Sequence, residues 1–143
     1  MKTPFDTAMR VQRREIDAMG VAINVQVNVL NQIETEREDV QTSIIREADV
    51  AAGDLHLSAH AYMERIRAEQ SRLNRDGVVQ RARLDQMRNK AAVAYGAYRA
   101  IEIAAEGYRE EGHRRQANAE QAGMDDSAAV AFLKARRAMR GRR

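Results

Sequence analysis

Only one proline, Pro4, stands in the 143 residues of this chain, and that scarcity constrains the fold more than any other feature. Proline inside a helix removes a backbone hydrogen bond and clashes with the preceding turn, so beyond position 4 nothing of this kind interrupts a helix. Turn-forming residues are also too sparse for a many-stranded sheet, which needs a turn signal about every 8–12 residues. Hydrophobic residues make up 44% of the chain, but much of that is alanine, and only Phe5, Tyr62, Tyr95, Tyr98, Tyr108 and Phe132 are aromatic. The mixture, rich in Ala, Glu, Arg, Gln and Leu, belongs to long helices and not to a broad globular core. The expected fold is all-α: a single elongated domain over 1–143, built as a long antiparallel two-helix coiled-coil hairpin with a short C-terminal helix or basic tail.

The first helix is expected over about 4–52. Thr3 can cap it, Pro4 suits its first position, and Asp6 faces its positive end. A heptad places Met9, Ile16, Ile23, Leu30, Arg37, Ile44 and Ala51 at a, and Gln12, Met19, Gln26, Ile33, Val40 and Glu47 at d. Nine of these thirteen positions are apolar, a narrow stripe of the coiled-coil kind. A turn is expected at about 53–58, where Gly53 can end one helix and Asp54 can cap the next.

The second helix is expected over about 59–122. Its a positions run Met63, Gln70, Gly77, Leu84, Ala91, Tyr98, Ala105, Gly112 and Ala119; its d positions run Ala59, Ile66, Leu73, Gln80, Met87, Ala94, Ile101, Tyr108, Arg115 and Ala122. The seam is clear to Tyr108 and fades through the polar, Ala-rich stretch from Glu110 to Gln121. Gly77, Gly96, Gly107 and Gly112 each cost about 1 kcal/mol relative to Ala in an exposed helix interior, so contacts are expected to offset them. Asp125, Asp126 and Ser127 can cap a final helix within 125–143.

Charge favours folding back. Residues 30–54 carry a net −5 and residues 65–90 a net +5, and a bend near residue 56 lays Glu34 beside Val78 and Glu47 beside Arg65. Each exposed ion pair is worth only ~0–1 kcal/mol, but the pattern disfavours parallel self-pairing. Val25, Val29, Ile45, Leu57, Val78, Val79, Val93 and Ile103 fall outside the seam and are candidates for partner-binding faces, Val78 and Val79 with Ile45 foremost.

Net charge is +3, yet residues 134–143 carry six bases and no acid, leaving 18 bases against 21 acids before them. The basic character is a property of that one segment. With no cysteine there is no disulfide framework, thiolate zinc site or cysteine nucleophile, and a cytoplasmic setting fits best. Neither a signal peptide nor a run of about 20 apolar residues is present, so no membrane insertion is expected.

No catalytic constellation is evident, and the expectation is that the chain is not an enzyme and holds no cofactor. His56 and His60 are spaced i, i+4 but lack a third ligand at useful spacing; His113 lies among Glu111, Arg114 and Arg115. Carboxylates from Glu34 to Asp39 surround a helix and do not share a dry pocket, and no glycine-rich phosphate loop occurs.

The opening Met9-Arg10-Val11-Gln12-Arg13-Arg14-Glu15-Ile16, and the close in which Asp125-Asp126 precedes Phe132-Leu133-Lys134-Ala135-Arg136-Arg137, resemble the FliJ family of flagellar export proteins and the related type III secretion stalk proteins. The likeness covers nearly the whole chain and is one of length, layout and terminal chemistry. It departs from a Leu-rich pattern through its seam alanines and glycines. Membership would imply a cytoplasmic component, peripheral to the inner membrane where it meets the gate, that links an export ATPase ring to an export gate membrane protein and to export chaperones. The resemblance assigns Arg10, Arg13, Arg14, Arg136, Arg137 and Arg140 to the ATPase ring, and Ile45, Val78 and Val79 to the gate or chaperone. The rivals are a generic coiled-coil spacer, adaptor or chaperone, and a nucleic-acid-associated helical protein using the Arg-rich segment, which the acidic first helix and the lack of aromatics disfavour.

Overall fold

A computed structural model describes the backbone of residues 1–51 and 57–142 and the side chains of 1–49 and 60–142. The expected turn, with Gly53, Asp54 and His56, lies outside the described residues. Two long helices, α1 (Asp6–Ala51) and α2 (Leu57–Gly141), pack against each other, and among the described residues there is no strand. Contacts gather into two compact units, one of Val11–Ala97 and one of Met1–Arg10 with Tyr98–Arg143.

In Val11–Ala97 the heptad positions form the interior. Ile16, Met19, Ile23, Leu30, Ile33, Val40 and Ile44 of α1 are all half-buried, and on α2 Leu73 and Leu84 are buried to 1% and 5% exposure. Narrow as it is, the seam removes these side chains from water at roughly 25 cal/mol per Å² of apolar surface. Polar seam residues find partners of their own kind. Gln26 is buried, and its Nε2 donates to the backbone oxygen of Gln80 at 3.0 Å and to its side-chain Oε1 at 2.7 Å; Gln70 Nε2 donates to Gln41 Oε1 at 3.0 Å.

These contacts also fix the register. Gln26 meets Gln80, a Cβ on Gly77 would lie 3.7 Å from Ile33, and Gln41 meets Gln70, so partners on α2 fall in number as those on α1 rise. Ile33 beside Gly77 is a register two residues removed from Glu34 beside Val78, the level that charge and a bend near residue 56 suggest. Direct ion pairs do not set this register. Among the described residues of this unit the ion pairs lie within one helix: Arg37 with Glu34, His60 with Glu64, and Arg72 with Glu69 and Asp76. The opposite charges of the two stretches act at longer range, while glutamines make the cross-helix hydrogen bonds.

In the other unit Ala105 is fully buried, Ile101, Tyr98 and Gly112 are half-buried, and Tyr108 remains 47% exposed. From His113 to Arg142 every residue is exposed, yet α2 stays helical to Gly141. The expected end near Ala122 and the separate short helix beginning at Asp125 are therefore not found. Gly123 has no positive φ, so it does not act as a left-handed cap, and a single glycine's cost of about 1 kcal/mol is outweighed by the surrounding Ala, Gln, Glu and Arg.

Gly77→Ala should stabilise the chain by about 1 kcal/mol in urea denaturation, because the added methyl meets Ile33 at an ordinary 3.7 Å and helix propensity improves. Gln80→Ala should cost about 1–2 kcal/mol by leaving the buried Gln26 amide short of an acceptor, whereas the double change Gln26→Leu with Gln80→Leu should be close to neutral. The same denaturation series measures both.

Candidate partner-binding surfaces

Residues 1–9 are tied down by a compact set of contacts. The Thr3 backbone N–H donates to Asp6 Oδ2 at 3.0 Å, the Thr3 hydroxyl donates to Asp6 Oδ1 at 2.6 Å, and the Asp6 N–H donates to the Thr3 carbonyl at 3.2 Å. This is the reciprocal half of a capping box: Thr3 marks the start of α1 as expected, but its hydroxyl serves the carboxylate and not a helix N–H. Those hydrogen bonds from Thr3, and then the charge of Arg109 at 3.7 Å, hold the Asp6 carboxyl below its ordinary value. Phe5 meets Tyr108 edge to face with centroids 6.5 Å apart, an arrangement favoured by the ring quadrupoles. The Met1 thioether lies over Gly112, where a Cβ would come within 2.9 Å of its sulfur.

This anchor decides how the arginines assigned to the ATPase ring are distributed. Arg10 is exposed in the same unit, at a level of α2 before Gly112. Arg136, Arg137 and Arg140 are exposed on α2, and Arg136 lies about 36 Å beyond Gly112 at ~1.5 Å per residue. Arg10 and the three arginines near the end of α2 are therefore not one cluster. Arg13 and Arg14 are exposed on α1 in the other unit.

The apolar residues assigned to a gate or chaperone are all exposed, Ile45 at 56%, Val78 at 65% and Val79 at 61%. The register separates them. Val78 follows the level of Ile33, and Ile45 lies about 18 Å further along α1 from that level, so Val78 and Val79 make one small patch and Ile45 another. Of the remaining off-seam residues, Val25, Val93 and Ile103 are exposed and Val29 is half-buried; the Leu57 side chain is outside the described residues.

Charged side chains on this surface are arranged as exposed helical pairs. Glu69 is held below its ordinary value first by the hydrogen bond from Arg72, and Arg72 is raised by the same bond, by the charges of Glu69 and Asp76, and by Glu36 across on α1. Exposed to solvent, such pairs order side chains more than they stabilise the fold. His60 Nε2 lies 3.3 Å from Glu64, His113 is exposed, and His56 is outside the described residues. Among the described residues no group of three His, Cys, Asp or Glu side chains could hold a metal, and no helix is long and apolar enough to cross a membrane. An open apolar groove of about 440 Å³ is lined by Met19, Asn89, Lys90, Val93, Ala94 and Ala97.

Two features escaped the sequence reading. One is the exposed helical stretch 113–142 with Met124, Phe132, Leu133 and Met139 on its surface, hidden because a fading seam reads as a fading helix. The other is the exposure of Val11 and Val21 on α1, near the off-seam Val25, hidden because the heptad count followed one face only. No family model, curated protein or solved structure matches the chain.

Because the Asp6 carboxyl is held low, its contribution to the anchor is fully present above the ordinary carboxylate range, about pH 4, and is lost as pH falls through the lowered folded value. An NMR titration should find Asp6 ionising below the ordinary aspartate value, and Thr3→Ala should move it back up. An unchanged Asp6 titration in that variant would remove Thr3 as the cause.

Proposed function

We propose that this chain is a non-enzymatic, stalk-like component of a bacterial flagellar or type III protein export apparatus, an antiparallel coiled-coil hairpin coupling an export ATPase ring to an export gate and its chaperones. The observation that carries this reading is the stretch from His113 to Arg142, helical to Gly141, exposed throughout and ending in five bases (Lys134, Arg136, Arg137, Arg140 and Arg142) without an acid. A preformed helix with a dense positive end offers an acidic ring both long-range attraction and little ordering cost. The paired part of the two helices supplies the rigid support, and its exposed Val78, Val79 and Ile45 offer apolar contacts for a second partner at the gate or on a chaperone.

Arg136, Arg137 and Arg140 are the residues to which we assign ATPase binding, with Arg10, Arg13 and Arg14 secondary because Arg10 is distant from them along α2. Changing Arg136, Arg137 and Arg140 to Glu should abolish stimulation of the export ATPase while leaving helical content by circular dichroism unchanged. Arg10→Glu should reduce stimulation much less. Full stimulation by the triple variant would end the reading, as would steeply salt-dependent duplex DNA binding by the intact chain with no effect on the ATPase.

A further inference from the structure

Beyond Gln121 the helix α2 has two unlike sides, and the export reading uses only the basic one. At about 100° per residue, Met124, Ala128, Ala131, Phe132, Ala135, Ala138 and Met139 fall within one arc of about 120°, and no other residue of 124–141 falls inside it. The spacing i, i+4, i+7, i+8, i+11 is that of an amphipathic helix. It holds through about four turns, until Arg142 returns to the same side. Nothing in the chain covers this side: Met124 is 61%, Phe132 67% and Met139 75% exposed, and the alanines between them are exposed as well.

We propose that this side of α2 binds an anionic phospholipid surface, the helix lying in the plane of the headgroups with Met124, Phe132 and Met139 turned toward the acyl boundary. The bases are placed for that contact. Lys134 stands about 40° beyond Ala138 at one border of the apolar arc, and Arg136 about 40° beyond Phe132 at the other. Their aliphatic stems can follow the apolar side while the charged ends reach lipid phosphates. Arg137 and Arg140 occupy the far side, together with Val130 and Leu133, and residues 134–142 contain no acid. Asp125 and Asp126 lie outside the arc, about two turns before the basic run.

The chemistry of the two sides selects lipid over other partners. Four of the seven apolar members are alanine, so the helix presents no row of large anchors of the kind that fills a protein groove. A nucleic-acid backbone would engage the bases and leave Met124, Phe132 and Met139 uncovered. An anionic bilayer supplies in one plane a negative surface and an apolar layer just beneath it, which is what a basic amphipathic helix requires. The contact is with the surface alone, since among the described residues no helix is long and apolar enough to cross a membrane. The helix is already formed to Gly141, so little ordering cost falls on binding. This inference does not rest on the export reading, and it leaves Arg137 and Arg140 directed away from the lipid.

The experiment is co-sedimentation of the full chain with vesicles, one set of phosphatidylglycerol mixed with phosphatidylcholine and one of phosphatidylcholine alone. The chain should bind the first set and not the second, and less tightly as salt rises. Phe132→Glu combined with Met139→Glu should weaken binding on the order of tenfold or more by placing charge in the apolar contact, with unchanged circular dichroism in solution. Val93→Glu, at an exposed apolar position elsewhere on α2, should leave binding intact. The chain has no tryptophan, so single reporters read which side meets the lipid. Phe132→Trp fluorescence should shift to the blue on the phosphatidylglycerol vesicles, while Leu133→Trp, about 100° around the helix, should keep its emission in water. No binding to those vesicles, equal binding to phosphatidylcholine alone, binding indifferent to the paired Glu changes, or equal shifts at 132 and 133 would overturn the proposal. No ATPase enters these measurements, so this inference and the export reading fail independently.

Discussion

Everything else in this molecule depends on a one-sided contact between α1 and α2 that is only two residues wide per turn. A seam of that width buries few large side chains fully, Leu73 being the example, and most of its members remain half-buried. Its stability is the accumulation of many partial burials over a long length, and therefore requires uninterrupted helix on both sides. The scarcity of proline is the covalent counterpart of that requirement.

Where the seam is polar, it specifies more than it stabilises. Apolar side chains such as Ile16, Ile23 and Leu30 would accept several offsets against α2, because burial is non-directional. The buried Gln26, paired with Gln80, does not tolerate a shift, since its displaced amide would be left without a partner in a shielded position, and the exposed pair Gln41 with Gln70 adds a second cross-helix hydrogen bond. Gln12 Oε1, shielded and without a partner in its own chain, is the exception among the described residues. It marks a place where the seam is less completely satisfied.

The helical class, the two-helix pairing, the α1 start at Thr3 and Asp6, and most of the described seam positions in 9–47 and 63–112 were legible because each rests on a short-range rule: a cap, a period or a glycine cost. Tyr108 was legible as a seam position and yet stays partly exposed, held at its edge by Phe5. What the sequence concealed was of two kinds. Charge suggested cross-helix ion pairs between 30–54 and 65–90, whereas the side chains found nearer partners one turn away on their own helix, as Arg72 does with Glu69 and Asp76. The end of α2 was misplaced because Gly123, followed by the possible cap at Asp125, Asp126 and Ser127, reads as a helix boundary, whereas the helix runs through both to Gly141. The separation of Arg10 from the late arginines has the same origin, since α2 continues about 36 Å past Gly112 before it reaches Arg136.

The meeting of Met1 with Gly112 has a consequence for how the rest of α2 keeps its shape. Forming the first turn of an isolated helix is the costly step, and adding residues to an existing helix is nearly neutral or slightly favourable. The paired part of α2 therefore acts as a permanent nucleus for the residues after it. Helicity beyond Gly112 is a propagation from that nucleus, so it should decline gradually toward Gly141 instead of being lost at one boundary. A substitution that loosens Phe5 or Asp6 from α2 would then be felt tens of residues away, as fraying of a segment that neither residue touches.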